Sequence, residues 1–293
     1  GAHWERGSSE MTWVKVVASW LPLAQVPVMQ GWKNIRVAGE GAREDADVVV
    51  ESFKPGHMAS IGLDYARLAV HNPALIMTSI TPFGQDGPYS QYEGAEIVNY
   101  AMGAIMSISG TRDKEPLKHG GFQAQYEAGL NGAAATNIAL FSQSVSGQGQ
   151  HVDISVTECV SSTMIANQTM YPFTGGIQGR RDPVGTLFGN PMPCKDGWVI
   201  VQPGGRATWD TIVQFFGNDE LGQRRFADGA MRADYGEELD SLMVDAISQR
   251  HKWELFREAS EAGILLGVVQ SPEELSNCPQ LHARGFYEEI EHP

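Results

Sequence analysis

Lys118-His119-Gly120-Gly121 sets a cation, an imidazole and two glycines side by side, directly ahead of an alanine-rich stretch that runs through about Leu140. Gly120 and Gly121 let the backbone approach a ligand closely, and a helix opening just after them offers unpaired N–H groups. Such a turn can hold a substrate; it can equally be a surface loop that caps a buried helix. His119 carries the same two readings, ligand contact or structural hydrogen bond. Lys54, Lys118 and Arg112 offer positive charge for a phosphate-bearing ligand, or simply solvated surface. A second loop, Thr81 to Tyr89, contains Phe83 and Gly84 and follows an apolar run, so it reads either as a ligand loop at a strand end or as a plain turn. Cys159, Cys194 and Cys278 lie far apart, with no CxxC pair and no histidine at ligand spacing. Neither a metal site nor a disulfide framework is expected, and idle thiols fit a reducing, cytoplasmic compartment.

The elements that must position these residues are legible from periodicity. Asp47 to Phe53 is a short β-branched run of the kind found in buried parallel strands, and it ends at Lys54-Pro55-Gly56. A helix follows, then a second buried strand over Pro73 to Ile80; strand, helix, strand without a hairpin signal implies a right-handed crossover in a parallel sheet. Glu96 to Ser109 reads as a helix, Gly129 to Phe141 as another, His151 to Val156 as a strand and Glu158 to Met170 as a long helix. Residues 45–170 thus form a large α/β domain. Tyr171 to Pro193, rich in glycine and proline, reads as a linker, and residues 194–293 as a smaller α+β domain. Its expected parts are a strand at Gly197 to Gln202, a helix at Trp209 to Phe216, two helices within Glu237 to Glu261 and a strand at Gly267 to Gln270. A helix opening at Ser271-Pro272 and a closing strand at Phe286 to Glu291 complete it. Residues 1–44 stay unassigned.

With 293 residues, 42% hydrophobic and 19% charged, the chain can bury a sizeable core. A net charge of −14 argues against general affinity for nucleic acid or an anionic membrane, and no apolar window is long enough for a membrane span.

The motif order resembles the family III CoA-transferases, the formyl-CoA transferase or carnitine CoA-transferase family. The resemblance rests on Ala46 through Gly56, Ser79 through Tyr89, Gly94 through Gly103, Gly147 through Ser155, and Leu281 through Phe286 with the closing Glu291-His292-Pro293. It implies a doubly wound, Rossmann-like parallel-sheet domain bearing coenzyme A, a smaller domain, and two chains interlinked like links of a chain. It also implies transfer of CoA from an acyl-CoA thioester to a small carboxylic acid, with no metal. The family nucleophile is an Asp at the start of the central helix, which attacks the donor thioester. Glu96 occupies the position of a family Asp near the acyl site, where it would accept a hydrogen bond from the loop and orient the substrate. Lys54, Phe83, Gly84, Lys118, Gly120 and Gly121 are the residues expected to hold CoA.

The sequence departs from the family at the decisive position. Ala124-Gln125-Tyr126-Glu127-Ala128-Gly129 puts an amide where the Asp belongs, and an amide is no carboxylate nucleophile. Glu127 is a poor geometric substitute, because on a helix it leaves the axis about 200° from Gln125. Ser60 stands where the family often has a phosphate-binding Arg. The family's opening strand is not recognisable before Asp45, and its last segment is absent, so the chain reads as a fragment or a divergent subunit. Three functions remain: a CoA-transferase acting alone or with an Asp-bearing partner, in a homodimer or heterodimer; a non-catalytic structural or regulatory subunit; and an acyl-CoA racemase. A racemase needs two acid/base groups, and Ala95 and Gln125 stand at the two positions that supply them.

Overall fold

The computed structural model describes residues 16–18, 46–185 and 187–289. It divides into two compact units, Gly1–Gly110 with Lys114–Arg180, and Thr111–Asp113 with Arg181–Pro293.

The first unit is a mixed α/β layer on a parallel sheet. Strands β1 (Val16–Ala18) and β2 (Val48–Glu51) pair in parallel. Helix α1 (His57–Ser60) follows β2, and α2 (Tyr65–His71) begins where the Asp64 carboxylate accepts from the Arg67 N–H at 3.2 Å. Strand β3 (Ile76–Thr81) lies parallel to β2, then come α3 (Glu96–Met102), the long α4 (Gln123–Ser146) and β4 (His151–Ser155), parallel to β3. Helices α5 (Val156–Ser162) and α6 (Ile165–Thr174) end the unit. The described strands lie in chain order, β1-β2-β3-β4.

Helix α4 can lie close on the sheet because its inner stripe is small: Ala124, Ala128, Gly132 and Ala139 are all buried. A Cβ at Gly132 would stand 3.0 Å from Ile80 Cδ1. One turn on, the Thr136 hydroxyl donates to the Gly132 carbonyl at 2.6 Å and so accepts from Thr78 across 2.7 Å. Because α4 returns to the start of β4, its first turn sits at the carboxyl edge of the sheet, the side where open α/β sheets bind ligands.

The second unit is a three-stranded antiparallel sheet with helices: β5 (Pro191–Cys194), β6 (Gly197–Gly205), α7 (Trp209–Phe216), α8 (Arg224–Ala227), α9 (Gly229–Arg232), α10 (Gly236–Ile247), α11 (Lys252–Ala262), β7 (Ile264–Val268), α12 (Pro272–Ser276) and α13 (Pro279–Ala283). Its core joins Val199 and Val201 to Phe216, Leu239, Met243 and Leu255. Helix α12 opens with a reciprocal capping box between Ser271 and Glu274. The buried Lys252 ammonium reaches the Glu274 carboxylate at 2.6 Å.

This Lys252 contact, together with the Ser271 N–H, holds the Glu274 carboxyl down to about 2. A depressed carboxyl contributes stability above its unfolded value, about 4.3, and loses it as pH falls toward the folded value. Glu274→Gln is therefore expected to lower the denaturation midpoint of the full chain at neutral pH and to flatten its decline between about pH 4.3 and 2. An unchanged acid limb would show that the pair contributes nothing.

Several elements differ from the sequence expectation. Strand β1 lies before Asp45, where the sequence shows no recognisable strand. Helix α4 begins at Gln123 and ends at Ser146, longer at both ends than expected; its close contact with the sheet is made at Gly132, inside the expected span. Helix α3 stops at Gly103, whose Cβ would strike Val160 Cγ1 at 2.5 Å; Ala104 takes φ 69°, and only a 3-10 turn at Ile105–Ile108 follows. The long helix after β4 breaks at Thr163, where the Ser162 and Thr163 hydroxyls bond back to the carbonyls of Cys159 and Val160. The stretch read as a linker holds the end of α6 and all of β5 but its last residue, Cys194. Phe286–Glu289 is not a strand, and the last residues of that expected strand lie outside the described ones. Among the described residues, no helix is long and apolar enough to cross a membrane.

Candidate active site

The start of α4 is fastened by a carboxylate from another helix. Glu96, the first residue of α3 and buried, accepts from the Ala124 N–H at 3.0 Å and the Gln125 N–H at 3.3 Å. The free N–H groups of a helix's first turn carry its positive end, so a carboxylate there satisfies donors and complements the dipole together. Glu96 thus binds the backbone of the position in question, whereas the sequence reading had it bind the loop. Gln125 itself is exposed. Its side chain leaves the helix opposite Glu127, the two flanking the buried Ala124 and Ala128 at about 100° per residue.

Glu127 turns inward. Its Oε2 is enclosed and has no hydrogen-bond partner, and the hydroxyl of fully buried Tyr100 is likewise enclosed and unpartnered. Burial pushes the Glu127 carboxyl up, Glu96 adds to the rise, and His119 opposes it. The Tyr100 phenol is raised by burial and then by Glu127 and Glu96; the Cys159 thiol is raised by burial, with Glu127 and Glu158 adding. Tyr100 is the residue that the sequence reading missed. It lies four positions after Glu96, hence on the same face of α3, and that spacing was the available signal.

A raised carboxyl stabilises the fold below its ordinary value, about 4.3, and gives up that stability as pH rises through the folded value. Glu127→Gln, which keeps the shape and cannot ionise, is expected to flatten the fall in denaturation midpoint as pH rises above the ordinary carboxyl range. Parallel pH profiles for the two proteins would contradict this.

The turn ahead of α4 is closed by Lys118, whose ammonium donates to the carbonyls of His119 at 2.5 Å and Gly121 at 2.6 Å and lies 5.6 Å from the Tyr100 ring centre. His119 is exposed, its ring 5.5 Å from that of Tyr100. Gly121 takes φ +72°, whereas a Cβ at Gly120 would meet open space. The chain therefore brings Glu96, Lys118, Gly120, Gly121, Gln125 and Glu127 to one place, and spends the Lys118 charge on the turn.

The other expected ligand residues lie on the loops that leave β2 and β3. Lys54 pairs with Glu93 at 3.0 Å, with half of its side chain exposed. Gly84 takes φ +89°, close to Asp153, whose carboxylate accepts from the Gln85 N–H at 2.9 Å. The Pro82 carbonyl is held by Asn99 Nδ2 at 3.0 Å and Thr157 Oγ1 at 2.9 Å, which fixes the loop that carries Phe83 and Gly84. Arg112 faces Asp182 in the second unit. Among the described residues, no three His, Cys, Asp or Glu side chains gather as metal ligands.

This architecture has known counterparts. The succinate–glutarate CoA-transferase of Agrobacterium fabrum is 32% identical over 254 residues, covering 84% of this chain and 62% of that protein. The succinyl-CoA:(R)-benzylsuccinate CoA-transferase subunit BbsE of Thauera aromatica is 27% identical over 257 residues, covering 83% of this chain and 62% of that one. The crystal structure of a CAIB/BAIF family protein from Brucella suis superposes with a TM-score of 0.76 at 29% identity, over 85% of this chain and 67% of its own. The chain thus spans about 62% of the length of those two curated relatives. The pattern that defines CoA-transferase family III matches residues 43–293, and the chain belongs to that family.

Proposed function

We propose that this chain binds an acyl-CoA thioester at the carboxyl edge of its parallel sheet and takes part in moving CoA to a small carboxylic acid, together with a chain that carries the carboxylate nucleophile. One observation carries this reading: the first turn of α4 is held in place by Glu96 while Gln125, exposed on that turn, is an amide. A carboxamide can donate and accept hydrogen bonds to an acyl group, but it does not form the mixed anhydride on which the family's covalent route depends. Relatives named as subunits, such as the Thauera aromatica protein, support a partnered enzyme.

In this reading the turn at Gly120 and Gly121, shaped by Lys118, borders the acyl group, with Glu96 as the positioning residue. Glu127, facing inward, is not the replacement nucleophile. Lys54, Phe83 and Gly84 border CoA; Gly84's positive φ lets the loop backbone come close, and the exposed part of Lys54 leaves protons for a phosphate. The partner is a second, identical or related chain, interlinked with this one, and the sheet is completed as a doubly wound one. The outer face of α4 supports a covering chain: Tyr126, Leu130, Ile138, Phe141 and Val145 are exposed, and Glu127 is the helix's one charged residue. The widely separated thiols suit a cytoplasmic setting.

A purely structural subunit is the second reading, favoured by the same amide. A racemase lacks support, since neither Ala95 nor Gln125 can exchange a proton. Calorimetric titration of the full chain with acyl-CoA tests the proposal: saturable binding is expected, and no binding at millimolar ligand would defeat it.

A further inference from the structure

Fully buried Tyr100 has two ends, and the chemistry above gives neither a role. The turn ahead of α4 leans on its ring: the Lys118 ammonium lies 5.6 Å from the ring centre, and the His119 ring packs at 5.5 Å. Its hydroxyl is enclosed, as is Glu127 Oε2, and neither has a hydrogen-bond partner among the described residues. Two such buried polar atoms cost free energy unless a hydrogen bond, direct or through one water, joins them. The groups that face Glu127 come from three elements: Glu96 and Tyr100 on α3, His119 on the turn with Lys118 against the Tyr100 ring, and Cys159 on α5 with Glu158 beside it. Burial is the largest influence on the Glu127 carboxyl and opposes its charge, as does Glu96, whereas exposed His119 favours it. An ionised Glu127 is therefore poorly placed in the enclosure and is relieved by turning out toward His119 and solvent.

We propose that Tyr100 is a positioning residue: with Glu127 neutral, its hydroxyl is tied to that carboxyl and its ring holds the Lys118–Gly121 turn; with Glu127 ionised, the tie is lost and the turn loosens. The consequence for transfer rests on the reading above, which sets this turn beside the acyl group; the coupling itself does not. Hydrogen exchange of the full chain, read by mass spectrometry on the peptide that spans residues 117–124 and corrected for the intrinsic pH dependence of exchange, tests it without a ligand. In the natural protein, opening of the turn is expected to grow by about tenfold for each pH unit above the ordinary carboxyl range, until the raised value is reached. Glu127→Gln, which cannot ionise, should stay closed and flat with pH; Tyr100→Phe, which keeps the ring and lacks the hydroxyl, should be more open and equally flat. A merely structural role would change the level of exchange and not its slope. The same slope in the natural protein and in Glu127→Gln, or the natural slope kept by Tyr100→Phe, would overturn the coupling. Acyl-CoA affinity should fall across the same pH range in the natural chain and hold level in Glu127→Gln. Exchange that follows the coupling while no acyl-CoA binds would support the positioning of the turn and defeat the proposed function alone.

Discussion

Gln125→Asp is expected to convert a chain that is not labelled by acyl-CoA into one that is. Incubated alone with acyl-CoA and then with hydroxylamine, the variant should show a hydroxamate on residue 125 by peptide mass spectrometry, at least about tenfold above the natural protein. Tenfold corresponds to only ~1.4 kcal/mol of barrier. The new carboxylate would project from an exposed position on the first turn of α4, where the helix end favours negative charge. Nearby Glu96 opposes that charge, but its oxygens are engaged by the Ala124 and Gln125 N–H groups. The backbone of the position is therefore already built for an acid. A Gln125→Asp protein that binds acyl-CoA as the natural one does, yet remains unlabelled, would show that the turn is misplaced for attack.

Removing the Glu96 carboxylate should have the largest effect on stability. Glu96→Ala deletes two charge-assisted bonds and leaves the N–H of fully buried Ala124 without a partner that water could replace. A loss of about 2–4 kcal/mol in urea denaturation is expected, with Glu96→Gln losing roughly half of that because one acceptor oxygen remains. A denaturation midpoint unmoved by the alanine change would mean that the cap does not hold α4.

Much of the fold could be read from the chain because its strands are short β-branched runs bounded by turn residues: Val48 to Val50 and Ile76 to Ile80 announce themselves. At α4 the expected helix already held Gly129 and Gly132, the second of which allows contact with Ile80, and the misplaced parts were its two ends, Gln123 and Ser146, since boundaries are the part of an element that local propensity marks least. Strand β1 has only three residues, too few for a period to register. The site was legible in part. Gln125 stood out against the family's motif, but the Glu96 cap joins residues 28 positions apart, a distance at which no local pattern speaks. The charges of Lys54 and Lys118 were visible in the sequence, and the Glu93 carboxylate and turn carbonyls that engage them were not.

The most direct test mixes the natural chain with a family member that retains the aspartate, adds acyl-CoA, traps with hydroxylamine and asks which chain carries the hydroxamate. The expected result is modification of the partner's aspartate alone, with the peptide containing Gln125 and Glu127 unmodified. A hydroxamate on Glu127, or on any residue of this chain incubated by itself, would contradict the claim that the amide at 125 closes its own covalent route.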